Sequence, residues 1–219
     1  MAIDKLILQE CIRDQREMIE SAQIVERQVC FEPKGNYVFV GIRHSGKSYL
    51  LYQRIHQLLR EGHQWDEILF VNFDDERLAE FNTDDFNILL ETHYSQSPKK
   101  PFIFLDEVQR IPHWELFARR LVNEKYTVYI TGSNAKMLSE EIATTLGGRF
   151  FIQYVYPYSF LEYISAQNIV LSTDWVKSTR KRSEVKRMLY SYFLFGGLPE
   201  ILDYNEKRAV LSSLYQKIY

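Results

Sequence analysis

The sequence predicts an α/β fold, a parallel sheet flanked by helices and followed by a small all-helical part. Three observations predict it. Short apolar runs alternate with helix-patterned stretches from Tyr37 to Tyr156. The first run, Tyr37-Val38-Phe39-Val40, is joined to its helix by a glycine-framed stretch, Gly41-Ile42-Arg43-His44-Ser45-Gly46-Lys47-Ser48. A later run, Pro101-Phe102-Ile103-Phe104-Leu105, is bulky and apolar throughout, as a strand buried on both faces would be, and ends in Asp106-Glu107.

Taken in order, residues from Lys5 to about Val29 pattern as a helix, with Leu6, Ile12, Ile19 and Ile24 on a loosely apolar side. Pro33 and Gly35 break it before the first strand. A packing helix on the domain edge is expected here, and a lid or partner helix is the alternative. The stretch Gly41 to Ser48 then fits G-x-x-x-x-G-K-[S/T] at every defined position. At average residue usage the bare pattern arises by chance in roughly one chain in a hundred of this length. The flanking strand and helix pattern argue further against coincidence.

The chemistry explains the spacing. Gly41 and Gly46 let the backbone curl so that successive N–H groups, through Arg43, His44 and Ser45, point into one concavity that attracts phosphate oxygens. The start of a helix adds unsatisfied donors and a positive dipole end. Lys47 can reach the β- and γ-phosphates of a nucleotide, and the Ser48 hydroxyl can hold Mg²⁺. Leu50, Leu51, Ile55, Leu58 and Leu59 give the following helix its apolar spacing from Tyr49 to Leu59.

Glu61-Gly62 ends that helix, and Glu67 to Phe73 reads as the second strand. Asp74, Asp75 and Glu76 follow it at a carboxyl end, where open α/β sheets bind ligands; a solvated capping loop is the plainer reading. Phe86 to Thr92 reads as a short helix and Ser95 to Lys100 as a polar loop. Two acids after the Pro101–Leu105 run would be costly in a core unless they held a cation or a reactive water. Beside a phosphate loop, Asp106 is suited to orient Mg²⁺ and Glu107 to polarise the water attacking the γ-phosphate.

Trp114 to Val122 reads as a helix and Tyr126 to Thr131 as the next strand, ending in Gly132-Ser133-Asn134. Ser133 and Asn134 suit either a γ-phosphate contact or a turn and helix cap. Leu138 to Leu146 reads as a helix stopped by Gly147-Gly148, and Arg149 opens the strand Phe150 to Tyr156. An arginine there makes a surface ion pair, or else stabilises charge on a γ-phosphate. From Pro157 the composition turns helical, over about Ser159 to Ala166, Asp174 to Phe195 and Lys207 onward. Lys177, Arg180, Lys181, Arg182, Lys186 and Arg187 form a basic run that reads as a solvated helix face, with a nucleic-acid patch as the alternative. Gly196-Gly197-Leu198-Pro199-Glu200 breaks the helices.

Composition narrows the rest. A formal net charge of −2 over 219 residues provides no global field for nucleic acid or an anionic membrane, so any such contact is local. Two cysteines, Cys11 and Cys30, give neither a zinc pattern nor a disulfide framework, which fits a cytoplasmic location. No apolar run reaches the roughly 20 residues of a membrane span. The helix pattern from Ala209 stops at Tyr219 without a glycine, asparagine or proline, so a longer natural chain is expected.

With these residues in place, the chain resembles a prokaryotic AAA+-type ATPase family whose members carry a C-terminal domain of unknown function. The resemblance is carried by Gly41–Ser48, Phe104-Leu105-Asp106-Glu107-Val108-Gln109, Ile130-Thr131-Gly132-Ser133-Asn134 and Gly148-Arg149-Phe150. It continues in Tyr156-Pro157-Tyr158-Ser159-Phe160 and Gly196–Glu200, and covers about residues 35 to 205. It implies a P-loop NTPase sheet of five parallel strands, with the strand ending at Thr131 between the phosphate-loop strand and the Asp106 strand. It also implies a sensor role for Ser133 or Asn134, and a phosphate-sensor or arginine-finger role for Arg149. By the same resemblance Gly197 and Pro199 approach an adenine. His44 and Ser48 depart from the commoner small or apolar residue and threonine, and the family's extra C-terminal domain is expected beyond Tyr219, where these residues stop.

The expected organisation is an N-terminal helical segment over 1–34, a P-loop ATPase domain over 35–157 and a small helical domain over 158–219. The expected function is ATP binding and Mg²⁺-dependent hydrolysis coupled to conformational change or partner remodelling, in a homo-oligomer or with a protein partner, away from membranes. A nucleotide-dependent switch with little turnover and a DNA-associated ATPase are the alternatives. A small-molecule kinase ranks last, because no arginine-rich lid accompanies the loop.

Overall fold

The computed structural model describes residues 3–133, 144–171 and 174–218. Five strands, β1 (Tyr37–Val40), β2 (Ile68–Asn72), β3 (Phe102–Asp106), β4 (Thr127–Gly132) and β5 (Phe151–Tyr154), form one sheet in the order β2-β3-β4-β1-β5. Every pairing is parallel. The strand that ends at Gly132 therefore lies between the phosphate-loop strand and the Asp106 strand, as the resemblance implies.

The helices are α1 (Lys5–Ser21), α2 (Lys47–Arg60), α3 (Phe86–Tyr94), α4 (Trp114–Asn123), α5 (Phe160–Ser165), α6 (Thr179–Phe195) and α7 (Lys207–Ile218). The first helix stops earlier than its apolar pattern suggests: Ala22 is already extended, with its N–H on the Ile19 carbonyl. The helix read over Leu138 to Leu146 falls largely outside the described residues. Val25–Gln28 and Ile42–Gly46 group with Val155–Tyr219 as one compact unit; the remaining residues form the other, which holds the sheet.

Strand alternation sorts the sheet unit's core into two chemically different faces. Val38, Val40, Leu69, Val71, Ile103, Leu105, Val128 and Ile130 join one aliphatic-rich cluster with Leu89 of α3 and Phe117 and Leu121 of α4. Most alternate positions are aromatic, among them Tyr37, Phe39, Phe70, Phe104 and Tyr129. Tyr129 stacks on Tyr37 at 5.8 Å and on Phe104 at 4.7 Å. Arg54 of α2 donates from Nε to the Tyr129 hydroxyl at 3.1 Å, so α2 covers this second face. The same parity assigns Asp106, two residues after Phe104, and Thr131, two after Tyr129, to the face of α2.

Helix α1 finishes the β2 edge. The Gln15 amide accepts from Asn72 N–H at 3.0 Å and donates to the Asn72 carbonyl at 3.4 Å, imitating one peptide of a neighbouring strand. In the other unit, Ser159 caps α5 and Glu162 closes the capping box. Tyr163, Ile164, Val185 and Met188 form that unit's small core.

Candidate functional site

Lys47 and Ser48 open α2 directly after the glycine-framed loop, and β3 and β4 bring the acids and hydroxyls to them. Lys47 is only 4% exposed, and its Nζ donates to the Gly41 carbonyl at 3.2 Å. Ser48 Oγ donates to Asp106 Oδ1 at 3.1 Å. Thr131, beside Asp106 because Leu105 pairs with Ile130, donates its hydroxyl to the same oxygen. Asp106 is fully buried, and among the described residues its Oδ2 has no hydrogen-bond partner. Burial pushes its carboxyl up to about 6, against the opposing pull of Thr131 and Ser48, while the charge of Glu107 adds to the rise.

Glu107 leaves the strand in a left-handed conformation, φ 52°, that a residue with a Cβ adopts at some cost. Its N–H donates to Thr131 Oγ1 at 2.9 Å, which holds that turn. Its carboxylate Oε2 accepts from Ser133 Oγ at 2.8 Å and from Gln109 Nε2 at 2.5 Å. Ser133 is thus brought to the acids. Asn134 lies outside the described residues.

Two polar residues carry the site without having been assigned a role in advance, Thr131 and Gln109. A signal existed for Thr131: a lone small hydroxyl at the end of an aromatic–aliphatic strand, in register with Asp106. For Gln109 the signal was only its place in the motif that carries the resemblance, because its contact depends on how the chain turns after Glu107.

Arg149 is not brought to the loop of its own chain. Its Nη1 donates to Asn123 Oδ1 at 2.5 Å, at the end of α4, and its carbonyl accepts from Asn36 Nδ2 at 3.3 Å, just before β1. Both contacts lie at the amino edge of the sheet. The phosphate loop leaves β1 at the carboxyl edge, four residues or roughly 13 Å away. Strand length therefore separates Arg149 from the start of the loop at Gly41.

The crown of the loop is described within the helical unit. Ser45 is fully buried, and its carbonyl accepts from Arg27 Nη1 at 3.3 Å. Arg27 also pairs with Glu162, Nε to Oε1 at 3.1 Å, and donates to the Tyr156 carbonyl at 2.7 Å. Arg43 is exposed. His44 has a left-handed backbone, φ 61°, and Gly46 one at φ 92°. A Cβ on Gly46 would sit 3.8 Å from Pro199 Cγ. Gly197 has a packing reason of its own, since a Cβ there would lie 2.1 Å from the Tyr158 carbonyl oxygen. The Tyr158 N–H donates to the Gly197 carbonyl at 2.7 Å.

The acids after β2 hold structure. Asp75 accepts from Arg77, which holds its carboxyl down at about 2, and from Gln15 Nε2 at 3.2 Å. Asp74 pairs with Arg110. Among the described residues, no group of three or more His, Cys, Asp or Glu could enclose a metal ion. A Mg²⁺ at Ser48 and Asp106 would therefore take its other ligands from phosphates and water, its ordinary manner of binding. The buried, unpartnered Oδ2 of Asp106 fits that use.

A parallel sheet in this order, with a phosphate loop after β1 and an acid pair after β3, defines a P-loop NTPase of the AAA+ class. The family described as an AAA domain matches residues 34–164, and the chain belongs to it. It is 34% identical to the uncharacterized protein MJ1544 of Methanocaldococcus jannaschii over 223 residues, 99% of this chain and 49% of that protein. An uncharacterized protein of Haemophilus influenzae is 33% identical over 186 residues, 83% of this chain and 44% of that protein. The chain thus spans about half the length of the curated relatives it matches.

Solved structures with a similar backbone include AMPPCP-bound DnaA from Aquifex aeolicus, with a TM-score of 0.43 and 13% identity over 94% of this chain and 68% of that one. PCH-2 of C. elegans has a TM-score of 0.46 and 12% identity over 97% of this chain and 68% of its own. Among the described residues, no helix is long and apolar enough to cross a membrane.

Proposed function

We propose that this chain binds ATP with Mg²⁺ at Gly41–Ser48 and hydrolyses its terminal phosphoanhydride, using the released energy to change conformation or remodel a partner. The observation that carries this reading is the meeting of Ser48, Asp106, Glu107 and Ser133 around one strand edge. Lys47 and the loop N–H groups bind and orient the phosphates. Ser48 and Asp106 would hold Mg²⁺, which supplies charge neutralisation at the phosphates. Glu107 accepts a proton from water as the water oxygen bonds to the γ-phosphorus. The bond from that phosphorus to the β–γ bridging oxygen breaks, and ADP leaves with the electron pair.

Ser133 orients Glu107, and Gly197 and Pro199 are assigned to the adenine side by analogy with related signalling ATPases. On the family pattern the sensor role falls to Ser133 or Asn134. Arg149, at the amino edge, suits a finger that enters a neighbouring subunit's site and so makes turnover depend on assembly.

Two substitutions test the reading. Lys47→Ala abolishes nucleotide binding or turnover, read by fluorescent-nucleotide titration and phosphate release. Glu107→Gln keeps ATP bound and stops hydrolysis; a Glu107→Gln chain turning over at the wild-type rate refutes the role of Glu107. A second reading is a nucleotide-dependent switch with negligible turnover. It is favoured by the two donors already on Glu107 Oε2, which occupy the oxygen that would otherwise face an attacking water. ATP-driven change in the helical unit without phosphate release distinguishes it.

A further inference from the structure

His44 lies at the crown of the phosphate loop, and the structure gives it a partner. Its left-handed backbone, φ 61°, turns the imidazole so that Nδ1 lies 2.7 Å from Oε2 of Glu200. This is a contact of ion-pair length rather than an aligned hydrogen bond. Oε2 is buried and finds no aligned donor among the described residues. Glu200 sits in the first turn of the short 3₁₀ segment Pro199–Asp203. That segment is fixed from two sides: Pro199 rests against Gly46, and Gly197 is locked to the Tyr158 main chain. Both residues of the pair and both anchors belong to the same compact unit.

A carboxylate set against a phosphate loop is a problem for an anion-binding site, because it repels the ligand the loop exists to hold. An imidazolium beside it removes the net charge and leaves the positive member on the loop itself. From this juxtaposition we infer that His44 and Glu200 form a charge-coupled pair serving the nucleotide. His44 contributes a cation to the polyphosphate site when its ring is protonated, and Glu200 is the positioning residue that keeps the ring turned. Because Glu200 is part of the 3₁₀ segment, polyphosphate binding at His44 is felt by residues 199–203. The inference rests on the nucleotide reading above and adds to it the residue that couples the crown of the loop to the 3₁₀ segment Pro199–Asp203.

The charge arithmetic makes an unusual ordering. Glu200→Gln loosens the hold on the ring without leaving an uncompensated carboxylate, and weakens ATP mildly. His44→Ala leaves Glu200 uncompensated and weakens ATP by about tenfold, the scale of one partly screened charge contact. The double variant His44→Ala/Glu200→Gln is neutral again and binds ATP more tightly than His44→Ala alone. The experiment is a fluorescent-ATP titration of the wild type, the two single variants, the double variant, and His44→Gln as a less disruptive replacement. Hydrogen exchange across residues 197–203 is followed with and without ATP.

The expected result is recovery of most of the lost affinity in the double variant, and ATP-dependent protection of 197–203 in the wild type that the double variant lacks. A double variant no better than His44→Ala and His44→Gln, with Lys47→Ala still abolishing binding, overturns the pair while leaving the nucleotide reading intact. A wild-type chain that binds no ATP overturns the nucleotide reading and the pair with it.

Discussion

Replacing Asp106 by asparagine removes a buried charge while keeping the side chain's shape, and its effect on stability has a sign that depends on pH. The carboxyl is fully buried and titrates at about 6 in the folded chain, against 3.8 when unperturbed. Below about pH 3.8 it is protonated in both states and contributes no penalty. As pH rises from there to about 6, the unfolded chain releases the proton and the folded chain keeps it, so stability falls. Above that window the penalty is constant at about 3 kcal/mol. Asparagine does not titrate. The stability of Asp106→Asn minus that of the wild type should therefore grow by about 2–3 kcal/mol between pH 4 and pH 7.5. The new amide N–H, left without an acceptor, costs about 1–3 kcal/mol at every pH and shifts the whole curve without changing its slope. Urea unfolding of both proteins across this range, without nucleotide or Mg²⁺, measures the difference directly. A difference flat to within about 0.5 kcal/mol would refute the placement of an ionised Asp106 in a desolvated site.

Three further outcomes are expected. Thr131→Val removes the hydroxyl that donates to Asp106 and accepts from Glu107 N–H, and should cost about 2–4 kcal/mol in urea unfolding. Thr131→Ser, which keeps the hydroxyl, should lose about 1 kcal/mol. Arg27→Ala leaves Glu162 without its ion-pair partner and should cost about 2–4 kcal/mol, seen as earlier proteolysis of 155–171 and 174–218. Arg27→Lys should recover little, since an ammonium cannot replace the guanidinium fork. Gly197→Ala drives a methyl into the Tyr158 carbonyl and should cost about 3 kcal/mol or more, read as a lowered melting temperature.

Much of the site was legible because its chemistry is local in sequence. The loop from Gly41 to Ser48 announces itself by spacing, and Asp106-Glu107 by two acids closing an apolar run. Strand extents were close for the same reason: β1 matches Tyr37 to Val40, and β3 falls within Pro101 to Glu107. What escaped depends on the third dimension. Helix α1 ends at Ser21 although its apolar pattern runs on to Ile24, and Val25–Gln28 groups with the helical unit. Arg149 stands beside a glycine pair that says nothing about which edge of the sheet it joins. Gln109 reaches Glu107 only because Glu107 turns left-handed. Glu200 finds His44 over a separation that no periodicity encodes.

The two faces of the sheet explain why the costly carboxylate stands where it does. On the α2 face the alternate positions of β3 and β4 carry Phe104 and Tyr129, stacked at 4.7 Å, and two residues later the same parity delivers Asp106 and Thr131. The rings expel water from that face, which is why Asp106 resists ionisation. The first turn of α2 lies over the same face, which is why Ser48 meets it. The parity that keeps Asp106 dry therefore also aims it at the phosphate loop. A cation held there would be attracted most strongly because the surroundings are poor in competing water. Burial that weakens the empty fold is the same burial that sharpens the site.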